Sequence, residues 1–373
     1  MVESMANISI GVIGAGLIGR KHIKKIIDHP DFDLAGIADV NRDSISAQYP
    51  GIAVFKDYKS LLDEARPRAV IIASPNQSHA EIGIECARLG IDMLIEKPVT
   101  DTLESAADLL LEVRANNVRT LVGHHRRHHD QVKTLRRLLR EGLIGNLVGV
   151  SAIWAAYKPD EYFRIAPWRT QPGGGPILIN LIHEIDFLRY TAGEILGVSA
   201  ISSNRQRQFP VEDTTGALLQ FDSGCIGTFF ASDSAVSPWT TEQGAGEAVE
   251  FPFSGESNYR FVGSRGSLEF PTLVHWAQAE GSQNWNEPIR SQRLLASFID
   301  PYHAQLDHFR DVVRGEAESL LTVEDGARTL IATLAVAEAA ASGSRIDLHD
   351  RYEALAAGKF SPTLQATNPR KAF

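Results

Sequence analysis

Six residues near the N-terminus, Gly14-Ala15-Gly16-Leu17-Ile18-Gly19, constrain this chain more than any others. They lie between a short apolar run, ISIGVI, and a segment, LIGRKHIKKIIDH, whose Leu17, Ile18, Ile23, Ile26 and Ile27 recur at helical spacing. Strand, glycine turn and helix in that order give Gly-x-Gly-x-x-Gly a physical meaning. The glycines permit a tight turn and a close backbone approach, and the helix N-terminus that follows attracts a pyrophosphate. Gly14, Gly16, Leu17, Ile18 and Gly19 are therefore candidate cofactor-binding positions. The next apolar run, FDLAGIAD, ends at Asp39, an acid that would accept hydrogen bonds from ribose hydroxyls and repel a 2′-phosphate. That favours NAD over NADP, although Arg42 is close enough to serve a 2′-phosphate.

The same alternation runs on through residue 125, with AVIIAS and DMLIEKP as buried strands and HAEIGIECARLG and TLESAADLLLEVRANN as helices. It predicts an α/β fold whose N-terminal part is a doubly wound parallel sheet with helices on both faces. In such a sheet the carboxyl ends of the strands line the ligand crevice. Ser74, Asn76 and His79 follow one buried strand and Glu96 and Lys97 another, so all five are candidates for the nicotinamide side.

After residue 125 strict alternation stops, and 373 residues at ~100–200 per domain leave room for a second domain over 126–373. A basic amphipathic helix, RHHDQVKTLRRLLREGLIG, precedes the strand LVGVSAIWAAY. Further strands are expected at 197–204, 213–221, 224–232, 259–263 and 266–270, with helices at 301–315 and 323–342 and a long loop over 241–258. This reads as one broad, mostly antiparallel sheet with helices on one face.

Within this second part, the loop KPDEYFRIAPWRTQP runs into GGGPILINLIHEID. Tyr157, Lys158, Tyr162, Trp168 and Arg169 suit a carbohydrate, because aromatic faces pack on C–H groups while charged donors fix hydroxyls. Asn180 and His183 are i,i+3 neighbours on the helix expected next, with the glycines giving the backbone a close approach to the ligand. Upstream, GHHRRHHD at 123–130 pairs His124 with His128 and His125 with His129 at i,i+4. Such pairs can bind zinc, but no HExxH-type acid accompanies them, so no metal is assigned. Arg126 is kept as a candidate for the substrate crevice.

Taken in order, GAGLIG, SPNQSH, Glu96-Lys97-Pro98 and GGGPILINLIHEID resemble the Gfo/Idh/MocA family, the glucose-fructose oxidoreductase and inositol dehydrogenase group. VEDTTGALLQFDSGCIGTF and YRFVGSRGSLEFP resemble its second-domain strands. The resemblance implies a Rossmann domain holding NAD or NADP, followed by an α+β domain whose sheet often packs as a homodimer or homotetramer. It implies oxidation of a secondary alcohol of a sugar or cyclitol, or the reverse reduction. By position it assigns Lys97 to the reacting oxygen and His183 to acid/base chemistry. The substrate-binding candidates are then Lys97, Arg126, Tyr157, Trp168, Arg169, Asn180 and His183. Many relatives carry an aspartate four residues before the histidine, whereas Ile179 stands here with Asn180 beside it. A glycoside hydrolase using tightly held NAD, a dihydrodiol-type dehydrogenase and a non-catalytic sugar or NAD sensor remain as alternatives.

The formal net charge of −9 argues against a nucleic-acid surface, whose affinity needs clustered Lys and Arg. Only Cys86 and Cys225 occur, without CxxC spacing, and neither a secretory leader nor a spanning segment is evident. A cytoplasmic protein with a small-molecule partner is expected.

Overall fold

Four residues that are all fully buried, Ala69–Ile72, form the middle of the first sheet, as expected of a strand covered on both faces. The computed structural model describes residues 6–247, 251–297 and 299–359, and these divide into two units. The first unit comprises the described residues 6–128, 301–330 and 351–359. Its strands are β1 (Ile8–Ile13), β2 (Phe32–Ala38), β3 (Val54–Phe55), β4 (Ala69–Ile72), β5 (Asp92–Ile95) and β6 (Thr120–Val122). All pair in parallel, in the order β3-β2-β1-β4-β5-β6. The order reverses between β1 and β4, and the crevice beyond their carboxyl ends is where open sheets of this kind bind ligands.

The helix Pro301–Arg314 belongs to this first unit, whereas the sequence reading gave everything after residue 125 to the second. Its partners explain the correction. Leu306, Phe309 and Val313 are fully buried, and Arg310 and Arg314 each reach Asp31 at 3.0 Å. The amphipathic pattern identified the helix but carried no information about which sheet it would cover.

Among the described residues the second unit has nine strands: β7 (Leu147–Ala155), β8 (Ile195–Ser203), β9 (Thr214–Phe221), β10 (Ile226–Ser232), β11 (Tyr259–Gly263), β12 (Ser267–Phe270), β13 (Val274–Ala277), β14 (Arg290–Arg293) and β15 (Ile346–Asp347). Their order is β14-β13-β12-β11-β7-β10-β9-β8-β15, antiparallel throughout except for β7 beside β10. The loop foreseen at 241–258 contains a short helix, Thr241–Ala245, capped by Thr240, whose hydroxyl accepts the Gln243 N–H at 3.1 Å. Residues 248–250 of that stretch lie outside the described residues.

One sheet face packs on the helix Ile182–Ala192. Phe187 meets Tyr259 and Phe270 with ring centroids 4.5 and 4.8 Å apart, and the Tyr259 hydroxyl donates to the buried Glu184 carboxylate. Burying each such ring contributes roughly 1.5–3 kcal/mol, so the helix is firmly held. On its outer side Arg136 stacks over Tyr190 at 3.9 Å and its Nε donates to the Tyr190 carbonyl. The other sheet face leaves Leu218, Ile226 and Phe230 exposed, following the alternation of β9 and β10, with Ile201 of β8 exposed beside them.

Candidate active site

In the first unit, β1 ends in a turn whose glycines have three different physical reasons. Gly14 has φ of +93° and a Cβ there would lie 2.6 Å from the Ala73 carbonyl oxygen, so a side chain is excluded by both backbone and space. A Cβ on Gly19 would collide with the Gly14 carbonyl oxygen, and its absence lets the helix Leu17–Ile27 start against the turn. Gly16 is different: it has ordinary φ of −67°, and nothing lies within 4 Å of the Cβ position. Gly16 is also the N-cap of that helix and supplies no side-chain cap, so the helix N-terminus is uncovered. Leu17 beside it is exposed and Ile18 half-buried. Asp39, at the end of β2, accepts the Ala15 N–H at 2.7 Å with one carboxylate oxygen and the Asn41 N–H at 2.8 Å with the other. Arg42 turns toward β3, its Nε donating to the Val54 carbonyl at 3.0 Å. This cradle fits a dinucleotide: space at Gly16, donors at a helix N-terminus and an anchored carboxylate.

Past β4, Ser74 is half-buried with its hydroxyl 2.7 Å from that of Ser78, and Asn76 is exposed on a 3₁₀ turn, Asn76–Ser78. His79 is fully buried, with Nδ1 3.0 Å from the Pro98 carbonyl and Nε2 2.9 Å from the Ser74 carbonyl. Burial pushes its pKa down against these two carbonyls, which favour the charged ring. The imidazole therefore ties the loop after β4 to the loop after β5, and its nitrogens face the protein and not a ligand. Glu96 is likewise internal. It lies 2.7 Å from His22 Nε2, accepts the Lys97 N–H at 3.3 Å, and packs so closely on Gly123 that a Cβ there would lie 2.9 Å from its carboxyl carbon. Burial alone would raise its pKa, but the His22 hydrogen bond and the charges of His22, His125 and Lys97 bring it below the usual carboxylate value. Lys97 follows directly and is half-buried.

The histidine-rich run is not the α-helix that its spacing implied. His125–His128 form a 3₁₀ turn and the α-helix begins only at Asp130, so the i,i+4 pairs do not share a helical face. His125 stacks on Tyr302 at 4.4 Å, His128 meets His308 edge-on at 5.2 Å, and Arg126 is 2% exposed. Elsewhere in this unit His29, His303 and Asp307 bring three ligand-type atoms within 4.8 Å. Their hydrogen bonding disfavours a metal. His29 Nδ1 accepts the Asp31 N–H at 3.2 Å, which places the ring proton on Nε2, facing Asp307 at 3.2 Å, while Arg310 holds the same carboxylate at 2.9 Å.

In the second unit, the segment after the glycine triplet opens with a π-helical turn, Ile177–Leu181, and continues as the helix Ile182–Ala192, with His183 half-buried at its start. Wide turns of this kind recur at functional sites. The triplet does something other than expected. A Cβ on Gly174 would sit 2.5 Å from the Trp168 carbonyl, and one on Gly175 would strike the Glu212 carboxylate. The close approach is to the chain itself, and Glu212 uses it to accept the Ile177 N–H at 3.0 Å at the head of the π turn. Burial raises the pKa of that carboxyl.

Lys158 is the centre of the polar groups around this segment. Its Nζ donates to Asn180 Oδ1 at 2.6 Å, lies 3.7 Å from Asp233, and sits 4.9 Å from the Tyr162 ring centroid. Burial lowers its pKa to about 8, with Arg169 and Arg207 adding to the shift and Asp233 opposing it. Arg207 already satisfies Asp233, donating from Nε at 2.7 Å. Arg169 lies over the Tyr162 ring at 3.7 Å and donates to the Tyr162 carbonyl at 2.7 Å, while its buried Nε has no partner among the described residues. Tyr157 and Trp168 are exposed. Thus Lys158, Arg169 and Asn180 come together, whereas Tyr157 and Trp168 stand at the surface. Glu212, Arg207 and Asp233 were not singled out in the sequence, which offers no local signal for them.

With this geometry in view, comparison with known proteins agrees with the motifs. The N-terminal domain of the Gfo/Idh/MocA oxidoreductase family, an NAD-binding Rossmann fold, matches residues 8–124, and the family's C-terminal domain matches residues 132–269. The chain belongs to this family. A 1,5-anhydro-D-fructose reductase of Ensifer adhaerens is 25% identical over 343 residues, spanning 91% of this chain and 98% of that protein. A myo-inositol 2-dehydrogenase of Thermotoga maritima is 28% identical over 237 residues, 61% of this chain and 69% of that one. Among solved structures, the WlbA dehydrogenase of Bordetella pertussis, in complex with NADH and UDP-GlcNAcA, superposes with a TM-score of 0.74 at 23% identity, covering 92% of this chain and 99% of that one. An Agrobacterium radiobacter oxidoreductase in complex with NAD⁺, L-tartaric acid and magnesium gives 0.79 at 17%, covering 93% and 100%.

Proposed function

We propose that this protein is an NAD-dependent oxidoreductase that moves a hydride between the nicotinamide and a secondary alcohol of a sugar, cyclitol or related polyol. The open cradle at Gly16, with Asp39 anchored 2.7 Å from the Ala15 N–H, is the observation that carries the cofactor half of this reading. Gly14, Gly16, Leu17, Ile18, Gly19 and Asp39 would hold the adenosine diphosphate portion, and Ser74, Asn76 and Lys97 would face the nicotinamide side. His79 and Glu96 would act indirectly, by fixing the loops that carry those residues. When bound, the cofactor supplies a hydride acceptor or donor.

The chain's own groups supply the rest. His183 would take the hydroxyl proton, a contribution of about 10²–10⁴-fold for a positioned acid/base. The Lys97 ammonium would stabilise the negative charge that develops on the oxygen. Asn180, Arg169, Tyr157 and Trp168 would bind hydroxyls or sugar faces, whereas Arg126, 2% exposed, would act indirectly as His79 and Glu96 do; the buried Arg169 Nε, which has no partner among the described residues, supports this. The names of the reductase and inositol dehydrogenase relatives support a polyol substrate.

A panel of sugars, cyclitols and sugar acids with NAD⁺ and NADP⁺, and the corresponding ketones with the reduced cofactors, tests the proposal by reduced-cofactor absorbance. Turnover of a polyol faster with NAD⁺ is expected. Glycoside cleavage without net reduced cofactor would replace the reading with the hydrolase one. We also propose a cytoplasmic homodimer or homotetramer packed through the exposed apolar face that carries Ile201, Leu218, Ile226 and Phe230. A monomer by light scattering at micromolar concentration would refute that assembly.

A further inference from the structure

Asn180 stands three residues before His183, and an amide can present either an acceptor or a donor depending on which way it is turned. An ammonium group can only donate. With Lys158 Nζ at 2.6 Å, the Asn180 oxygen must face the lysine, and the NH₂ group is turned away from it. We infer that Lys158 is a positioning residue of the polyol site, locking the Asn180 amide so that the segment carrying His183 offers substrate a hydrogen-bond donor. The inference rests on the proposed reading of that segment as the polyol site.

The surroundings argue that the lysine is kept for this purpose. Its side chain is 11% exposed, an expensive place for a charge unless the charge is used. It is not needed to neutralise Asp233, because Arg207 donates to that carboxylate at 2.7 Å while Lys158 stands off at 3.7 Å. Position is fixed from several sides. The Lys158 backbone N–H donates to the Asp233 carbonyl at 2.9 Å, Arg207 Nη2 donates to the Lys158 carbonyl at 2.8 Å, and the Trp154 and Tyr162 rings lie 5.6 and 4.9 Å from Nζ. The charged groups acting on Nζ are Asp233 and Glu212, which favour the ammonium, and Arg169 and Arg207, which oppose it. Together with burial they bring its titration to about pH 8, so the lock is present at neutral pH and released in mild alkali.

Two measurements test this. Competitive acetylation of the full-length protein across pH, read by mass spectrometry at Lys158, should give a midpoint near 8 that falls in Asn180→Ala and rises in Asn180→Asp. A midpoint indifferent to both substitutions overturns the lock. Steady-state kinetics use the best polyol from the panel above. Lys158→Met should lower kcat/KM about tenfold or more, the loss of a hydrogen bond to a charged group, with partial recovery in Lys158→Arg and NAD⁺ affinity within twofold of native. Adding Asn180→Ala to Lys158→Met should cost little more, since one residue acts through the other. Fully additive losses, or native kcat/KM in Lys158→Met, overturn the positioning role. Should no polyol be turned over, the proposed function fails while the acetylation midpoints still decide whether the lock exists.

Discussion

Substituting Gly16 and Gly19 in parallel separates cofactor binding from folding within a single motif. A methyl group at Gly16 meets nothing within 4 Å and the backbone there, at φ −67°, accepts any L-residue. The apoprotein of Gly16→Ala should therefore lose at most about 1 kcal/mol, the difference between Gly and Ala at a helix N-cap. The same methyl occupies the space a pyrophosphate would take. Displacing one charge-assisted hydrogen bond costs about 1.5–3 kcal/mol, which weakens NAD⁺ binding roughly 10- to 150-fold. Gly19→Ala behaves in the opposite manner, because its methyl collides with the Gly14 carbonyl oxygen within the fold itself. It should lower the melting temperature of the apoprotein before any cofactor is added. Thermal melts of both apoproteins with calorimetric NAD⁺ titrations decide the matter. Unchanged NAD⁺ affinity in a well-folded Gly16→Ala would refute the assignment of the cradle.

Three other substitutions follow from the same geometry. Asp39→Ala should raise KM for NAD⁺ more than for NADP⁺, because it removes the acceptor for ribose hydroxyls and the charge that repels a 2′-phosphate; equal effects in paired initial-rate assays would count against the NAD preference. His183→Ala should cut kcat by about 10²–10⁴-fold while calorimetric NAD⁺ affinity stays near native, and equal turnover would remove the proposed acid/base role. Lys158→Met should be more stable than native at pH 7. The drop in lysine pKa from 10.5 to about 8 corresponds to a burial cost of up to about 3 kcal/mol. Below pH 8 both folded and unfolded lysine are charged and the cost is fully present. Between about 8 and 10.5 the unfolded chain still holds the proton, so native stability rises with pH and the advantage of the methionine variant closes. Denaturant midpoints against pH would show it, and a less stable variant at pH 7 would contradict the argument.

The parallel sheet was legible because burial on both faces leaves continuous apolar runs such as AVII, and a turn such as Gly14–Gly19 has few other uses. Strands β8 to β12 could be read from alternation and turn residues. Three strands were not read, and they are the ones packing marks weakly: Val274–Ala277 is four residues long with no buried-exposed alternation. The Arg290–Arg293 strand is polar and exposed at every position, and Ile346–Asp347 is two residues long, so both exist through pairing to a neighbour and not through a pattern of their own. The helix Pro301–Arg314 was seen as a helix but placed with the second domain, since the ion pairs that anchor it to Asp31 join residues 279 and 283 positions apart.

The site divides along the same line. In the proposed site Gly14, Gly16 and Gly19 act through backbone shape and Asp39 through its carboxylate, all within one strand-turn-helix-strand unit that local sequence encodes. His79 and Glu96 drew notice because a strand end is where ligands bind, but it is also where two loops need bracing, and burial with internal hydrogen bonds identifies the brace. GGGPILINLIHEID shows the limit most clearly. Its glycines looked like room for a ligand, yet Gly174 makes room for the Trp168 carbonyl and Gly175 for Glu212, thirty-seven residues away. Asn180 looked like an imperfect substitute for an acid. Its meaning depends on Lys158, which reaches it from the loop after β7, and an amide held by an ammonium is a different chemical group from a carboxylate: neutral, oriented, and presenting protons instead of lone pairs. In the proposed site a substrate oxygen that satisfied such a donor would accept a hydrogen bond while His183 took the proton, a requirement on the substrate that an aspartate in place of the amide would not impose.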